Sequence, residues 1–555
     1  MIEQIRTILF DIGGTLLQKQ NHGSRDPLII AEMVNFLGGD ETAEEMIAKL
    51  TAREQEYKSW KYRSLSELSY EEVWSDILLP EHPKTLIQQH ALQLQEWWST
   101  SKGKRWIAPE TIVVLETLAA RGYLLGTISH TNPKYLDEAG IRHLFITARQ
   151  AAEFGKRKPH PAMFLAAARD CNTPIEACAY VGDRPSRDIV GAREAGIGQV
   201  IQLKKVDGAI EENPCVMQAD TVIQTLTDLL EIFPHLNANS LKAFSHLEST
   251  PLYDAALSTM WWSKEIDSAE DFCQKGRKLG FARFELNHQI PPEDLADFDT
   301  GHYHVGSVHD PCPAVVHNKQ LEIEDRQLTS LNKSLRQDGI DTVKRSIETA
   351  YGLGARSVVI HPGYITGDHS LDDQLREMFR KGLKPSPEYL ILRDKVITDR
   401  KNRSKPHLDC LIHSLQEIIT FASDTGVCLG LENRYHYYEV PIFEEMQVLL
   451  ETYKQPWVGW QLDIGHIQAH DVLGLMSFQQ WLEHFSNRII GVHWHDVIGI
   501  VDHQVPGTGE VDFSWVSKYI PTSANHTLEI NKKVTFDEMK IGLEVLSKAG
   551  CITKL

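Results

Sequence analysis

The 555-residue sequence contains no run of 18 apolar residues, the length that a membrane-spanning helix requires. It also lacks the basic and then apolar leader that is typical of a secreted protein. Its eight cysteines are scattered and form no CxxC pair, so reduced thiols are expected. We therefore expect a cytoplasmic protein that does not span a membrane.

Positive charge is scarce, with 57 Lys and Arg residues against 76 Asp and Glu residues and a formal net charge of −19. An acidic surface repels polyphosphate, so duplex nucleic acid is not an expected partner. The chain is 42% apolar with a mean hydropathy of −0.29, which is typical of a globular protein. Its length predicts two or more domains, and nothing in it predicts an oligomeric state.

Two patterns of secondary structure follow one another along the chain. Residues 1–233 alternate strand-like and helix-like segments, and a helical insertion occupies about 18–105. Strands are predicted there at 6–11, 123–129, 178–182 and 199–203. The polar residues 234–249 predict a linker.

Residues 250–555 show eight predicted strands separated by helices, which is the order of a (β/α)8 barrel. These strands are predicted at 256–262, 282–287, 304–309, 357–361, 428–432, 458–463, 489–493 and 526–530. The charged stretch 366–408 is long for a connection, and we expect a helical excursion over the barrel mouth that could act as a lid.

Polar side chains follow the predicted strands of the first half at the points where these strands end. Asp11 ends the first predicted strand, Ser129 ends the second and Asp183 ends a later one. Lys158 directly precedes a proline, and Asp188 follows Asp183 by five residues. The carboxyl ends of parallel strands collect ligands at one edge of a sheet. A carboxylate there can attack phosphorus, and further carboxylates can hold Mg²⁺.

This order of residues resembles the haloacid dehalogenase superfamily over residues 1–230, including a helical cap inserted after the first motif. The resemblance implies a Rossmann-like α/β domain with a Mg²⁺-dependent phosphohydrolase site. It implies catalytic roles for Asp11, Ser129 and Lys158, a substrate contact for Thr15, and metal ligation by Asp11, Asp183 and Asp188.

Gly13 departs from that family, whose phosphatases carry a second aspartate two residues after the nucleophile. Loss of a general acid–base costs roughly 10²–10⁴-fold for a poor leaving group. Three alternatives follow: the domain acts on an activated phosphate, another group such as His130 replaces the acid, or the domain is a retired scaffold. We favour an unusual working phosphohydrolase.

The second half has His, Asp or Glu at the end of most predicted strands, the face where such barrels do chemistry. Converging imidazoles and carboxylates indicate a site for Zn²⁺, Mn²⁺ or Fe²⁺. The residues are His309, His361, Glu432, Asp463, His466, His493, His503 and Glu529.

These residues resemble the xylose-isomerase-like barrel superfamily, which also contains the endonuclease-IV-type apurinic endonucleases. The set of Glu432, Asp463, His493 and Glu529 is similar to that of its sugar isomerases and epimerases, in which the two glutamates move protons. The resemblance to the hydrolase branch implies a further metal on His309 and His361, bridged through Glu432.

A third metal, on His466 and His503, is a weaker expectation of that resemblance. Val501 stands where the hydrolase branch has a carboxylate, and Asp502 is displaced from that place by one residue. We therefore expect two or three ions in the barrel.

We expect a two-domain metalloenzyme for a small phosphorylated, sugar-like metabolite. Hydrolysis of a phosphoester at the barrel is favoured over isomerisation of a sugar phosphate, and two binding modules are the non-enzymatic alternative. Arg434 is predicted to contact a phosphate or carboxylate of the substrate. For the nearby residues Tyr435, Tyr437 and Tyr438, contact with the substrate and ordinary loop packing are both left open. Glu285 is expected either to face the barrel mouth or to be a buried structural acid.

Overall fold

The computed structural model describes residues 5–20, 23–204, 217–236, 253–263, 266–300, 303–313, 318–521 and 523–554. The chain divides into two compact units, one of Met1–Ser249 with Thr300–His302 and one of Thr250–Asp299 with Tyr303–Leu555. Within the described ranges, every helix is too short or too polar to cross a membrane.

The first unit is built on a six-stranded parallel sheet with the order β5-β4-β1-β6-β7-β8. Ile8 and Phe10 pack on one face of the sheet and Leu9 on the other, each fully buried. Strands that are buried on both faces need helices on both faces, which explains the continuous apolar run at 8–10. The strands are β1 Thr7–Phe10, β4 Leu124–Ser129, β5 Phe145–Gln150, β6 Cys178–Gly182, β7 Gln199–Leu203 and β8 Thr221–Ile223.

The helical insertion is confirmed as a cap held on a two-stranded neck. Strands β2 (Leu17–Lys19) and β3 (Arg105–Ile107) pair antiparallel and bracket it. Thr42 and Ser69 begin two of its helices with reciprocal capping boxes, because the side chain of each bonds the backbone of a glutamate three residues on. The cap helices are α1 Pro27–Leu37, α2 Ala43–Ser64, α3 Tyr70–Glu72, α4 Lys84–Gln89 and α5 Ala91–Thr100.

The remaining helices of the first unit flank the sheet. They are α6 Pro109–Ala120, α7 Lys134–Glu138, α8 Ala162–Asp170, α9 Val190–Glu194 and α10 Leu229–Ile232. The start of the predicted linker belongs to this unit, because the Tyr123 hydroxyl donates to the Pro234 carbonyl at 2.9 Å. Residues 237–249 of that linker lie outside the described residues.

The second unit is a closed barrel of eight parallel strands in the order β9-β10-β11-β12-β14-β16-β17-β20, as predicted. The strands are β9 Tyr253–Ser258, β10 Phe281–Leu286, β11 Val305–His309, β12 Ser357–Ile360, β14 Cys428–Glu432, β16 Val458–Asp463, β17 Ile489–Trp494 and β20 Asn525–Leu528. Two short antiparallel pairs extend from the barrel loops, β13 (Gly363–Tyr364) with β15 (Glu439–Val440) and β18 (Asp496–Ile498) with β19 (Val501–Gln504).

Helices of the second unit alternate with its strands and share its core. They are α11 Ala269–Leu279, α12 Pro292–Ala296, α13 Asn318–Ile323, α14 Lys333–Gly352, α15 Ser370–Arg380, α16 Pro387–Thr425, α17 Phe443–Thr452, α18 Ile464–Leu473, α19 Phe478–Phe485, α20 Phe513–Val516 and α21 Phe536–Lys548. The excursion at 366–408 is helical, as predicted, and consists of α15 and most of α16.

One predicted strand is misplaced, and two strands of the first sheet were not predicted. The strand predicted at 256–262 is Tyr253–Ser258, and Thr259–Trp261 form a helical turn in which Trp261 packs near Phe272. Strands β5 and β8 were not predicted at all. Both are edge strands of the sheet. Strand β5 carries several polar residues and β8 has only three residues, so neither shows the long apolar pattern on which the prediction depends.

Candidate active sites

Three predicted site residues of the first unit meet at one edge of the sheet. Asp11 and Asp183 directly follow β1 and β6, and Ser129 is the last residue of β4. Strand β1 lies between β4 and β6, so the three ends are adjacent where the strand order reverses. Together with Lys158 and Asp188, these residues line a cavity of about 150 Å³.

Lys158 ties the acidic residues together. Its buried ammonium donates to Asp11 Oδ1 at 2.7 Å, to Asp188 Oδ1 at 2.5 Å and to the Tyr180 hydroxyl at 2.8 Å. The Ser129 hydroxyl also donates to Asp11 Oδ1, at 3.2 Å. Although burial alone would lower it, the charges of Asp11 and Asp188 raise the pKa of Lys158, so the side chain is a cation.

The carboxylates of Asp11, Asp183 and Asp188 fit a divalent cation. One oxygen of each lies within 4.8 Å of the others, and all three residues are buried. Burial and the neighbouring charges of Asp188 and Asp183 raise the pKa of Asp11 to about 7, against the opposing effect of Lys158. The Lys158 ammonium and the Arg184 guanidinium, whose Nε lies 3.6 Å from Asp183 Oδ2, offset part of the charge of the three carboxylates. Mg²⁺ would neutralise the remaining negative charge.

Gly13 faces a side chain that the sequence did not point to. A Cβ at residue 13 would lie 2.6 Å from Thr131 Oγ1 and 3.9 Å from Asp11 Oδ2. Real Cβ atoms do not approach another heavy atom so closely, so a side chain at residue 13 requires Thr131 to move. The backbone N–H of Thr131 donates to Ser129 Oγ at 3.0 Å, which holds this loop against β4.

His130 and Thr15 differ in how they relate to the cavity. His130 lines it, and its Nε2 accepts the backbone N–H of Lys158 at 3.2 Å. Burial, followed by the positive charges of Arg157 and Lys158, holds the pKa of His130 well below its usual range, so the imidazole is neutral. Thr15 is buried but is not among the residues that line the cavity, and its substrate contact stays a prediction.

The predicted residues of the barrel do converge at its carboxyl-terminal face. His309, Glu432, Asp463 and His493 lie at or near the ends of their strands, and His361 and Glu529 directly follow theirs. The strand register aligns neighbours, since Asp463 pairs with His493 and Ile360 with Leu431.

Two groups of candidate metal ligands share Glu432. One consists of His309, His361 and Glu432, and the other of Glu432, Asp463, His493 and Glu529, with the ligand atoms of each group within 4.8 Å of one another. Glu432 Oε2 contacts His361 Nε2 and lies 3.6 Å from His309 Nε2. Its Oε1 lies 3.2 Å from His493 Nδ1.

A third group consists of His466, Asp502 and His503. Although Asp502 is displaced by one residue from the place where the resemblance implies a carboxylate, its Oδ2 lies 3.6 Å from His466 Nε2 and 3.8 Å from His503 Nε2. Val501 is exposed. His503 adopts a left-handed backbone conformation (φ 52°) in the β18–β19 hairpin, which is uncommon for a residue other than glycine.

Backbone and carboxylate contacts orient the imidazoles. The Nδ1 atoms of His309, His466 and His503 each pair with a backbone carbonyl at 3.0 Å, which leaves their Nε2 atoms facing the carboxylates. Ligating histidines in proteins are commonly oriented by such a contact at their second ring nitrogen. The donor set therefore fits Zn²⁺, Mn²⁺ or Fe²⁺.

Opposite charges in this cluster shift the pKa values of its carboxylates and imidazoles. Despite the cost of burial, the neighbouring imidazoles hold the pKa values of Glu432 and Asp463 well below their usual range. Burial and the adjacent Arg434 guanidinium lower the pKa of His361 to about 3. The carboxylates are therefore ionised and His361 is neutral. Despite burial, the nearby carboxylates raise the pKa of His309 to about 9 and that of His493 well above its usual range, and a bound metal would displace these protons.

Two further residues belong to this site: Glu285, whose role the sequence left open, and His495, which the sequence analysis missed. Glu285 is fully buried, and its Oε2 lies 3.3 Å from His493 Nε2 and accepts the Ser307 hydroxyl at 2.6 Å. His495 places Nε2 3.0 Å from Asp463 Oδ1. The only signal in the sequence for His495 was its position two residues after His493, at the end of the same strand.

The mouth of the barrel opens into a cavity of about 700 Å³ that is lined in part by Arg434, Tyr438 and His369. The Arg434 guanidinium bridges Glu432 at 3.0 Å and Glu439 at 3.0 Å. Tyr438 stacks on His369 with 3.7 Å between ring centroids. Tyr435 also lines the cavity, although its hydroxyl is bonded to a carbonyl, whereas Tyr437 is buried in packing.

Comparison with known proteins gives two family matches. The model of haloacid dehalogenase-like hydrolases matches residues 5–196, and that of the xylose isomerase-like TIM barrel matches residues 277–523. Glyceraldehyde 3-phosphate phosphatase of Methanopyrus kandleri is 30% identical over 199 residues, covering 35% of this chain and 82% of that protein. Phosphoglycolate phosphatase of Xylella fastidiosa is 29% identical, covering 40% of this chain and 89% of that protein.

A solved structure of a D-tagatose 3-epimerase-like protein is 22% identical, with a TM-score of 0.37, and covers 53% of this chain and 96% of its own. The chain belongs to the haloacid dehalogenase-like hydrolases in its first unit. Its second unit matches the model of the xylose isomerase-like TIM barrel. Both are families of enzymes, so the chain is an enzyme, and the alternative of two binding modules is set aside.

Proposed function

We propose that this chain is a two-domain metalloenzyme for a small phosphorylated, sugar-like compound, which hydrolyses a phosphoester at the barrel mouth and transfers a phosphoryl group at Asp11. The names of the relatives from Methanopyrus kandleri and Xylella fastidiosa, phosphatases of glyceraldehyde 3-phosphate and of phosphoglycolate, support a substrate of this size.

The observation that carries the barrel assignment is that Glu432 belongs to two ligand groups at once. In this proposal, His309, His361 and Glu432 hold one metal, and Glu432, Asp463, His493 and Glu529 hold another. Two cations held in this way supply charge stabilisation for the attacking and leaving oxygens of a phosphoester displacement.

The protein's own residues bind and orient the phosphate. The Arg434 guanidinium is held at the rim by Glu432 and Glu439 and faces the 700 Å³ cavity, where it can pair with phosphate oxygens in bidentate fashion. The stacked rings of Tyr438 and His369 offer a flat wall for the remainder of the substrate. His466, Asp502 and His503 form the proposed place of a third metal.

Elemental analysis of the purified chain and of His361→Ala tests the barrel assignment. We expect at least two metals in the wild-type barrel, with one equivalent and the phosphoester hydrolysis lost in the variant. His369→Ala is the matched control, because this histidine lines the same cavity but belongs to none of the ligand groups, and its metal content should not change.

The second candidate is isomerisation or epimerisation of a sugar phosphate. The group of Glu432, Asp463, His493 and Glu529 is buried and complete without the two histidines of the first group. A site of that kind needs one metal, with Glu432 and Glu529 moving protons on the substrate. A single barrel metal that His361→Ala leaves in place would exclude the hydrolase proposal and favour this candidate.

In the first unit, Asp11 is the proposed nucleophile, held by Lys158 and Ser129, and Asp11, Asp183 and Asp188 are the proposed Mg²⁺ ligands. Because Gly13 supplies no acid, we expect substrates whose leaving group needs no proton, such as acyl phosphates. Replacement of the acid by His130 is disfavoured, since this imidazole is neutral and accepts a hydrogen bond from Lys158.

A further inference from the structure

We propose that the first unit is a phosphoryl acceptor that keeps its phosphoryl group: an acyl phosphate phosphorylates Asp11, and the aspartyl-phosphate persists because Thr131 occupies the space of the missing acid–base carboxylate. This inference rests on the role of Asp11 proposed above. It goes further, because it replaces turnover by a long-lived covalent state.

The contact between Thr131 and Gly13 is its structural basis. Thr131 Oγ1 lies 2.6 Å from the place of a Cβ at residue 13, and that place is 3.9 Å from Asp11 Oδ2. The space from which a side chain at residue 13 would reach the reacting group is thus filled by a hydroxyl. A threonine hydroxyl donates and accepts hydrogen bonds but does not take a proton from water at neutral pH.

The other described residues around Asp11 do not supply a base. The Lys158 ammonium is a donor only and is engaged by Asp11, Asp188 and Tyr180. His130 Nε2 accepts a hydrogen bond from the backbone N–H of Lys158. The neutral ring therefore carries its proton on Nδ1, and it has no second lone pair that could accept a proton from water. Among the described residues that line this cavity, the remaining carboxylates are the two proposed Mg²⁺ ligands.

The two chemical steps differ in their need for a proton carrier. In the first, an Asp11 oxygen bonds to phosphorus while the bond from phosphorus to the acyl oxygen breaks, and the acyl group leaves as a carboxylate without a proton. In the second, water attacks phosphorus and must lose a proton as the Asp11 carboxylate leaves. Without a general base the second step alone is slowed, by roughly 10²–10⁴-fold, so the phosphoenzyme accumulates.

The test is intact-mass spectrometry of the full chain after incubation with acetyl phosphate and Mg²⁺, followed by removal of the donor. We expect the added mass of one phosphoryl group per chain, persisting after the donor is removed, and none in Asp11→Asn. The double variant Gly13→Asp/Thr131→Ala makes room for a carboxylate and should shed the group faster, by on the order of 10²-fold.

A matched control adds a carboxylate elsewhere in the same unit. Gly39 lies in an exposed loop, where an added Cβ would meet no atom closer than 3.8 Å, and the phosphoenzyme of Gly39→Asp should persist as in the wild type. Rapid loss from the double variant alone would therefore reflect the position of the new carboxylate.

The two proposals fail in different ways. If acetyl phosphate is consumed catalytically but no phosphoenzyme builds up, another group activates water, and this inference is wrong while phosphoryl transfer stands. If acetyl phosphate is neither consumed nor captured, Asp11 does not accept phosphoryl groups from this class of donor, and both the inference and the proposed role of Asp11 are overturned.

Discussion

Glu285 and His493 face each other across the inside of the barrel, with Glu285 Oε2 3.3 Å from His493 Nε2 although the two residues are 208 positions apart in the chain. The opposite ring nitrogen of His493 points to Glu529 Oε2 at 2.9 Å. A proton shared between Glu285 and Nε2 leaves Nδ1 as the ligating nitrogen, so Glu285 selects the tautomer that the proposed metal site requires.

Replacing Glu285 by Gln should therefore weaken metal binding in the barrel without removing a ligand. Loss of such a supporting carboxylate typically costs 10–100-fold, so we expect an affinity lower by about that factor. Competition with a chromophoric chelator measures it. Glu544→Gln, at a side chain that is 62% exposed, is the control and should bind metal as the wild type does. Equal affinities in both variants would show that Glu285 is only a buried structural acid.

The third ligand group predicts opposite outcomes for two adjacent substitutions. Asp502→Asn should remove one metal equivalent, because Asp502 is the carboxylate that lies between His466 and His503. Val501→Ala should leave the metal content unchanged, because this side chain is 54% exposed. Elemental analysis of the two variants decides between them, and retention of all metal in Asp502→Asn would leave the barrel with two sites.

Asp183→Asn should abolish Mg²⁺ binding to the first unit. Asp188 is already held by Lys158 and by the backbone N–H groups of Asp183 and Arg184. The cation site therefore depends on the charge of Asp183 beside Asp11. Isothermal titration with Mg²⁺ measures the loss, with the exposed Asp137→Asn as control. Binding at wild-type affinity in Asp183→Asn would remove the magnesium assignment.

The contact between the cap and the sheet domain should depend on pH through Glu67. Its carboxylate accepts Arg157 Nη1 at 2.6 Å and Lys61 Nζ at 2.9 Å, and its side chain is 12% exposed. Although burial opposes it, these two cations lower the pKa of Glu67 below its ordinary 4.5. A carboxylate with a depressed folded pKa stabilises the fold above its unfolded pKa, and this stabilisation is lost as the pH falls through the folded value.

Glu67→Gln should accordingly destabilise the first unit at neutral pH by about 1–3 kcal/mol, the usual cost of losing hydrogen bonds to a charged group. The difference from the wild type should shrink as the pH falls below 4.5, the ordinary pKa of this group. Urea unfolding of the full chain across this range measures it. The exposed Glu44→Gln should match the wild type throughout, and a Glu67 effect that does not vary with pH would contradict the electrostatic explanation.

Much of both sites could be predicted from local sequence patterns. Asp11, Ser129, Glu432 and Asp463 each end or follow an apolar strand, and parallel strands end at one edge. The pattern failed where the strand signal was weak, as in β5, and at Asp502, which stands one residue from the place where a ligand was expected. His495 was missed because it follows the strand by one residue and acts through Asp463.

The sequence by itself determined the two-part architecture and the residues that reach each mouth, because strand ends carry their own apolar and polar signature. Only the tertiary structure decided which atoms of these residues meet at each mouth. Thr131 fills the space beside Gly13, Glu285 faces His493, and Asp502 lies near both His466 and His503. These contacts join residues from different elements, so they depend on strand register and loop conformation, which periodicity along the chain does not encode.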